Sequence, residues 1–281
     1  LVWAAGDLQA RGFMVGGTAG RTTINGEGLQ HQDGHSHILM STVPTCRAYD
    51  PCYGHELAVI LQDGLKRMFQ DKENCFYYLT VMNENYSHPQ MPEGSEEGIV
   101  RGMYLLKPGE NAGKKKAPRV QLMGSGTILR EVEAAAELLA EDHGVIADVW
   151  SVTSFNELRR EALEYDRQQF LDYDEKREKP WVVQQLDGVE GPVIASTDYM
   201  KLYADQIRAW VPTDFHVLGT DGFGRSDTRE QLRRFFEVDR YYVTIQALRA
   251  LANRGEIDIK VVNDAMKKYG IDPAKPSPLL S

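Results

Sequence analysis

The first half of the chain alternates between helical and extended hydrophobic patterns. After Pro51, apolar residues recur at three- and four-residue intervals, which predicts a helix with one buried face. The recurring residues are Leu57, Ile60, Leu61, Leu65 and Met68. The aromatic and β-branched segment "CFYYLTVM" at 75–82 predicts a buried strand, and "NENYSHPQMPEG" after it predicts a loop. Upstream, the pattern predicts a helix that ends near Gly16 and Gly17, and a strand around 40–49.

Strand and helix patterns alternate along the second half. The predicted strands are "VQLMGSG", "ADVWSV", "WVVQQL", "PVIAST" and "FHVLGT". The predicted helices are "ILREVEAAAELLAEDHG", "SFNELRREALEYDRQQF", "YMKLYADQIRAWV", "REQLRRFF", "VTIQALRALANRG" and "DIKVVNDAMKKYG". Ser154 with Glu157 forms a capping box, Thr228 with Gln231 caps a later helix, and Gly144 is placed to end one. This alternation predicts an α/β fold with a parallel or mixed sheet covered by helices.

The segment "KPGENAGKKKAPR" at 107–119 has no apolar periodicity and is rich in Gly, Pro and Lys. It predicts a linker, and its three consecutive lysines at 114–116 are then a solvated run. A chain of 281 residues is long for one compact unit, so we expect two domains. The predicted boundaries are 1–106 and 120–281.

Composition excludes several classes of protein. The chain is 42% hydrophobic and 26% charged, as in ordinary globular proteins. Its three cysteines include no C-x-x-C pair, which argues against a disulfide framework or zinc ribbon and for a reducing compartment. The net charge of −9 argues against binding nucleic acid or anionic membranes. No apolar run approaches the roughly 20 residues that cross a bilayer, so we expect a cytoplasmic protein.

The segment "HQDGHSH" at 31–37 concentrates three histidines and an aspartate, and Glu27 lies just upstream. In an extended chain His31, Asp33, His35 and His37 would share one face and could hold zinc or iron. The neighbouring glycines favour an irregular loop instead, in which acid–base chemistry suits the histidines better than metal binding. From spacing alone, histidines that only satisfy backbone groups are an equally good interpretation.

Two further loops carry polar residues. The segment "LGTDGFGRSDTR" at 218–229 follows a predicted strand and precedes a helix, as phosphate-binding turns do. Its glycine spacing fits neither standard phosphate motif, so a structural turn is favoured. Glu84, Tyr86 and His88 follow the buried strand at 75–82, where open α/β sheets place ligands, although a plain surface loop is the default.

Five segments, in order, resemble a known family. They are "GRTTINGEGLQHQDGHSH", "NENYSHPQMPEG", "SVTSFNEL", "ASTDYMKLYADQIRAWVP" and "VLGTDGFGRSDTREQLRRFFEVD". They resemble the C-terminal third of bacterial homodimeric pyruvate dehydrogenase, the decarboxylating first component of the pyruvate dehydrogenase complex. The resemblance implies a transketolase-like fold. The chain would then contain the truncated end of a pyrimidine-binding domain and a C-terminal α/β domain with a mixed, mostly parallel sheet.

The resemblance also implies a site and its partners. His31, His37 and Glu27 would be catalytic, and Asp33 and His35 would line the substrate channel. The intact enzyme would use thiamine diphosphate and magnesium, act on pyruvate and the lipoyl domain of dihydrolipoyl acetyltransferase, and form a homodimer. The G-D-G motif and Asn-Asn pair that hold magnesium diphosphate in such enzymes do not occur here, so we expect a fragment that binds no cofactor and is inactive alone. The alternatives are a non-catalytic dimerisation and docking module, or a metal hydrolase built on the histidine cluster.

Overall fold

The strands of the first part of the molecule form a small parallel sheet. The structure is a computed structural model that describes residues 1–110 and 117–281. Strands β1 (Phe13–Gly17), β2 (Cys46–Tyr49) and β3 (Phe76–Val81) lie in the order β1-β3-β2, and both pairings are parallel. The central strand β3 is buried except at its last residue, which confirms the strand predicted from its aromatic and β-branched residues.

Within the described residues, four helices accompany this sheet. They are α1 (Val2–Asp7), α2 (Ser36–Ser41), α3 (Gly54–Leu65) and α4 (Glu96–Arg101). Helix α3 is the one predicted from apolar spacing, and it continues as a π-helical turn over Lys66–Gln70. Ile60 and Met68 have no exposed surface, but Leu65 is 53% exposed. The prediction that Leu65 belongs to the buried face is therefore wrong.

A five-stranded sheet forms the second part of the molecule. Its strands, in spatial order, are β4 (Tyr104–Lys107), β6 (Ile146–Ser151), β5 (Arg119–Gly124), β7 (Val193–Ser196) and β8 (Phe215–Leu218). The edge strand β4 is antiparallel to β6, whereas all other pairings are parallel. This is the mixed, mostly parallel sheet that the sequence predicts.

Helices cover both faces of this sheet. They are α5 (Leu129–His143), α6 (Phe155–Leu171), α7 (Trp181–Leu186), α8 (Leu202–Asp205), α9 (Arg229–Phe235), α10 (Arg240–Asn253) and α11 (Ile259–Lys268). One apolar core joins the sheet to α5, α10 and α11, and a second joins its other face to α6 and α7. The hydroxyls of Ser154 and Thr228 accept hydrogen bonds from the predicted capping positions, and Gly144 ends α5 with φ +63°. The predicted ends at Thr228 and Gly144 are confirmed. Ser154 also caps α6, but the capping box is incomplete, because the backbone N–H of Ser154 donates to the carbonyl of Gly102 and not to Glu157.

Some predicted elements are wrong. Residues 13–17 form strand β1 rather than the end of a helix, because their backbone pairs with β3. Only 46–49 of the strand predicted at 40–49 is extended, and "WVVQQL" is helix α7. In α7, Val182 and Leu186 are four residues apart and both buried, which is a helical spacing. In so short an apolar segment, the sequence alone does not distinguish this spacing from that of a buried strand. The helix predicted over "YMKLYADQIRAWV" is interrupted: α8 is followed by a separate 3₁₀ turn, Arg208–Trp210.

The division into units of 1–106 and 120–281 stays a prediction. Strand β4 hydrogen-bonds to β6 within the larger sheet. The centre of the predicted linker, residues 111–116, lies outside the described residues, and so does the lysine run.

Candidate active site between the two sheets

The carboxyl ends of strands from both sheets meet in a buried polar seam. Asp50 directly follows β2, Thr80 lies near the end of β3, and Ser125 directly follows β5. The Asp50 carboxylate accepts hydrogen bonds from the Thr80 hydroxyl at 2.7 Å and the Ser125 hydroxyl at 2.9 Å. The Ser125 hydroxyl is 3.0 Å from that of Thr197, which follows β7. The edges at which parallel sheets usually bind ligands therefore face each other here.

His37 is joined to this seam from helix α2. Its Nε2 lies 2.9 Å from the Thr80 hydroxyl, and its ring is stacked on Tyr203 with centroids 4.7 Å apart. Tyr199 meets the ring edge-on, also at 4.7 Å, and Tyr78 lies at 5.3 Å. His37 has no exposed surface, and this burial lowers its pKa to about 3. The imidazole is therefore neutral at physiological pH.

The buried carboxylates of the seam are shifted in the opposite direction. Burial raises the pKa of Asp50 to about 7, although its bonds with Thr80 and Ser125 favour the ionised form. Asp198, which follows β7, is also fully buried, and burial raises its pKa to about 6. Its carboxylate accepts hydrogen bonds from the backbone N–H and the hydroxyl of Thr22. Carboxyl groups with raised pKa values that lie at strand ends are typical of functional sites.

The loop predicted to carry the chemistry covers one side of the seam. His31 ends a 3₁₀ turn, Leu29–His31, and the side chains of Glu27, His31 and His35 are exposed. Asp33 is half-buried, and its Oδ1 accepts hydrogen bonds of 3.0 Å from the backbone N–H groups of His35 and Ser36. Asp33 thus fixes the start of the helix that carries His37. The structure brings Asp33 and His37 together and leaves the other three side chains on the outer surface.

This loop is attached to the second part of the molecule at three points. The backbone N–H of Gly26 donates to the carbonyl of Asp227, and that of Met200 donates to the carbonyl of Gly34. Between them, the buried amide of Gln32 accepts from the Arg225 backbone N–H at 2.7 Å and donates to the Arg225 carbonyl. The glycine-rich segment at 218–229 therefore supports the histidine loop, in agreement with the structural turn that its sequence favours.

The metal interpretation of the histidine cluster has no support from this geometry. The cluster is divided between a 3₁₀ turn and helix α2, with His31 exposed and His37 enclosed. Within 1–110 and 117–281, no three His, Cys, Asp or Glu side chains gather in a way that could hold a metal ion.

The third predicted loop is occupied by internal contacts. Glu84 pairs with Arg233 and, at 2.8 Å, with Arg130. Burial opposes its ionisation, but the arginines prevail, so its pKa is lowered. Tyr86 donates to the carbonyl of Cys52, and His88 accepts a hydrogen bond from the backbone of Gly54. These contacts connect the loop to neighbouring elements.

Sequence reasoning missed the seam itself. Asp50, Thr80, Ser125 and Asp198 are scattered along the chain, and only Asp198 lies in one of the five segments that carry the resemblance. The available signal was positional, because each is a polar residue at the carboxyl end of a predicted strand.

Comparison with known proteins identifies two domain families. The pyruvate dehydrogenase E1 component middle domain matches residues 1–89, and the transketolase-like C-terminal domain matches residues 102–239. The pyruvate dehydrogenase E1 component of Pseudomonas aeruginosa is 62% identical over 280 residues, which cover 99% of this chain and 31% of that protein. The corresponding protein of Escherichia coli K12 is 56% identical over 283 residues, which cover 100% of this chain and 31% of that protein.

Solved structures share the fold at low sequence identity. Transketolase from Leishmania mexicana has a TM-score of 0.65 at 17% identity, covering 90% of this chain and 32% of its own. Transketolase from Campylobacter jejuni has a TM-score of 0.62 at 17% identity, and the match covers 88% of this chain and 32% of the transketolase chain. The transketolase-like fold predicted from the sequence is confirmed.

The chain spans about a third of the length of the curated relatives it matches, 31% in each case. Identity of 50–62% nevertheless extends over essentially the whole chain. The chain therefore belongs to the family of bacterial pyruvate dehydrogenase E1 components and corresponds to their C-terminal part.

Proposed function

We propose that this chain supplies part of the active site of a thiamine diphosphate-dependent pyruvate dehydrogenase. In the proposed reaction pyruvate loses carbon dioxide, and its two remaining carbons are oxidised to an acetyl group. A lipoyl disulfide is reduced in the same reaction and leaves as a thiol and an acetyl thioester. The observation that carries the proposal is the 50–62% identity to pyruvate dehydrogenase E1 components along the chain. The polar seam at the strand ends supports it.

The proposed catalytic residues are His31, His37 and Glu27, with Asp33 and His35 along the substrate channel. The exposure of Glu27, His31 and His35 supports a position where substrate and a lipoyl arm could reach them. An imidazole can serve as a general acid or base toward a bound substrate. His37 is enclosed and neutral, so we assign it hydrogen bonding to a bound group rather than proton donation.

We further propose that thiamine diphosphate and magnesium are held mainly by other parts of the intact enzyme. Thiamine diphosphate would supply the electron sink for decarboxylation. Magnesium needs several oxygen ligands, and the described part of the chain has no cluster of acidic side chains that fits it. The fragment is thus expected to bind neither group by itself.

We also infer the partners and location of the intact enzyme. It would be a cytoplasmic homodimer that meets the lipoyl domain of dihydrolipoyl acetyltransferase within a multienzyme complex. The net charge of −9 argues against a nucleic-acid partner. No helix within the described ranges is long and apolar enough to cross a membrane.

Complementation tests the proposal. The chain is assayed for pyruvate- and thiamine diphosphate-dependent turnover alone, and then mixed with the remaining portion of a pyruvate dehydrogenase E1 component. We expect no activity alone and activity on mixing, which His31→Ala lowers by at least tenfold. Turnover by the chain alone would contradict the assignment, and so would equal activity of the wild-type and His31→Ala chains after mixing.

A dimerisation and docking module remains the second candidate function, because one helix end carries uncovered apolar side chains. Phe170, Leu171 and Tyr173, at the end of α6 and just beyond it, are 87%, 62% and 75% exposed. Exposed apolar patches are typical of protein–protein contacts. The same mixing experiment separates the two functions, since a docking module predicts assembly of the two parts without turnover.

A further inference from the structure

The hydrogen bonds around Thr80 determine which nitrogen of His37 carries the proton. A neutral imidazole has one N–H donor and one bare acceptor nitrogen, and a threonine hydroxyl has a single proton to donate. Within the described residues, the Thr80 hydroxyl is hydrogen-bonded to two side chains, the Asp50 carboxylate at 2.7 Å and Nε2 of His37 at 2.9 Å. It can donate to only one of them.

Above the pKa of Asp50, which is about 7, the Thr80 hydroxyl donates its proton to the Asp50 carboxylate. An ionised carboxylate has no proton of its own, and a hydrogen bond to a charged acceptor is about twice as strong as a neutral one. The other Asp50 oxygen accepts a hydrogen bond from the Ser125 hydroxyl at 2.9 Å. The carbonyl of Tyr49, at 3.3 Å from the Thr80 hydroxyl, is a more distant alternative acceptor. The Thr80 oxygen is then left as an acceptor for His37.

We propose that Asp50, acting through Thr80, is a positioning residue that holds His37 in the Nε2–H tautomer and leaves its Nδ1 as a bare hydrogen-bond acceptor. The opposite tautomer would point the Nε2 lone pair at the Thr80 oxygen and forfeit a buried hydrogen bond. That loss makes the Nε2–H form favoured by about tenfold or more. The catalytic role of His37 rests on the proposed function, but the assignment of its tautomer does not.

The state of Nδ1 restricts the chemistry open to His37. In the described structure Nδ1 is enclosed and has no hydrogen-bond partner, so it is the one polar ring atom not engaged within the fold. As an acceptor it can bind a hydroxyl or an N–H group. It cannot donate to a carboxylate or a ketone oxygen. His37 is thereby suited to a hydroxyl-bearing state of the bound substrate and not to the carboxylate of pyruvate.

Imidazole ¹⁵N NMR tests the tautomer directly. The 281-residue chain, labelled at histidine nitrogen, is measured at about pH 8, above the pKa of Asp50 of about 7. The His37 signals are assigned through contacts of the ring with Tyr199 and Tyr203. We expect a proton-bearing Nε2 and a proton-free Nδ1. A proton on Nδ1, or an even mixture of the two forms, would overturn the proposal in the unmodified protein.

Substitutions at Thr80 test the route from Asp50. Thr80→Val keeps the shape but removes the hydroxyl, and we expect its tautomer ratio to fall by about tenfold, toward an even mixture. Thr80→Ser restores the hydroxyl and the wild-type ratio. Thr42→Val, the same change beside helix α2 at an exposed hydroxyl, is the matched control and leaves the ratio unaltered.

A single Nε2–H form that persists in Thr80→Val would refute the role of Thr80. None of these spectra depends on turnover. The proposal can therefore fail while the enzymatic assignment holds, and it can hold if that assignment fails.

Discussion

At the scale of single residues, the seam combines two buried groups whose ionisation changes stability in opposite directions over overlapping pH ranges. Burial raises the pKa of Asp50 to about 7 and lowers that of His37 to about 3. The folded protein therefore binds the Asp50 proton more tightly than the unfolded chain does, and the His37 proton less tightly. The first effect makes stability fall as the pH rises from about 4 to 7, and the second makes stability rise from about 3 to 6.5.

Asp50→Asn isolates the first effect. Because both proteins contain His37, subtracting their free energies of unfolding cancels its contribution. We expect the variant to gain stability relative to the wild type by roughly 2–3 kcal/mol between about pH 5 and pH 8. Urea unfolding at the two pH values measures this, with Asp7→Asn as a control for the loss of a surface charge. A constant difference would show that Asp50 ionises as an ordinary aspartate.

At the scale of elements, the histidine loop depends on its attachment to the segment at 218–229. The Gln32 side chain makes two hydrogen bonds with the Arg225 backbone and is only 5% exposed. Removing it leaves the partly buried N–H and carbonyl of Arg225 without these partners, which costs about 1 kcal/mol. The loop should then open more often, because local opening is governed by the contacts that hold the segment.

Gln32→Ala is therefore expected to expose the loop to proteolysis. We predict that a glutamate-specific protease cleaves after Glu27 about fivefold faster in the variant than in the wild type. The control is Gln30→Ala, which removes an exposed amide from the same loop. Equal cleavage of Gln32→Ala and Gln30→Ala would show that another contact secures the loop.

Elements with a strong period were predictable, and those defined by partners were not. Helix α3 and the long helices α5 and α6 follow from apolar spacing and caps, and β3 follows from its aromatic and β-branched composition. Strand β1 was missed because only its pairing with β3 makes it extended. Helix α7 was missed because six residues are too few for periodicity to separate helix from strand.

At the scale of the whole molecule, buried ion pairs connect the two sheets. Arg233 on α9 is 5% exposed and pairs with Glu84, which follows β3 in the first sheet, and with Glu131 of α5 at 3.5 Å. Its guanidinium also donates to Thr127 at 2.9 Å. Such a contact was not predictable from sequence, since its members come from three distant segments.

Removing this cation should destabilise the entire chain. Arg233→Met leaves the buried carboxylate of Glu131 and the partly buried carboxylate of Glu84 partly uncompensated, and we expect a loss of about 3 kcal/mol. The exposed Arg249→Met is the matched control, with an expected change within about 0.5 kcal/mol. Urea unfolding measures both. A small effect of Arg233→Met would mean that Arg130 and Arg240 suffice for the two carboxylates.

Asp33 determines how the outer and inner histidines can move. Its carboxylate accepts hydrogen bonds from the N–H groups of His35 and Ser36 at the start of α2. Asp33 therefore lies between the exposed His31 and the enclosed ring of His37. A displacement of the loop at residues 27–33 would be transmitted to helix α2 through the hydrogen bonds of Asp33. Uncovering of the inner ring would then require movement of the outer segment, whereas the exposed imidazole of His31 can be reached without it.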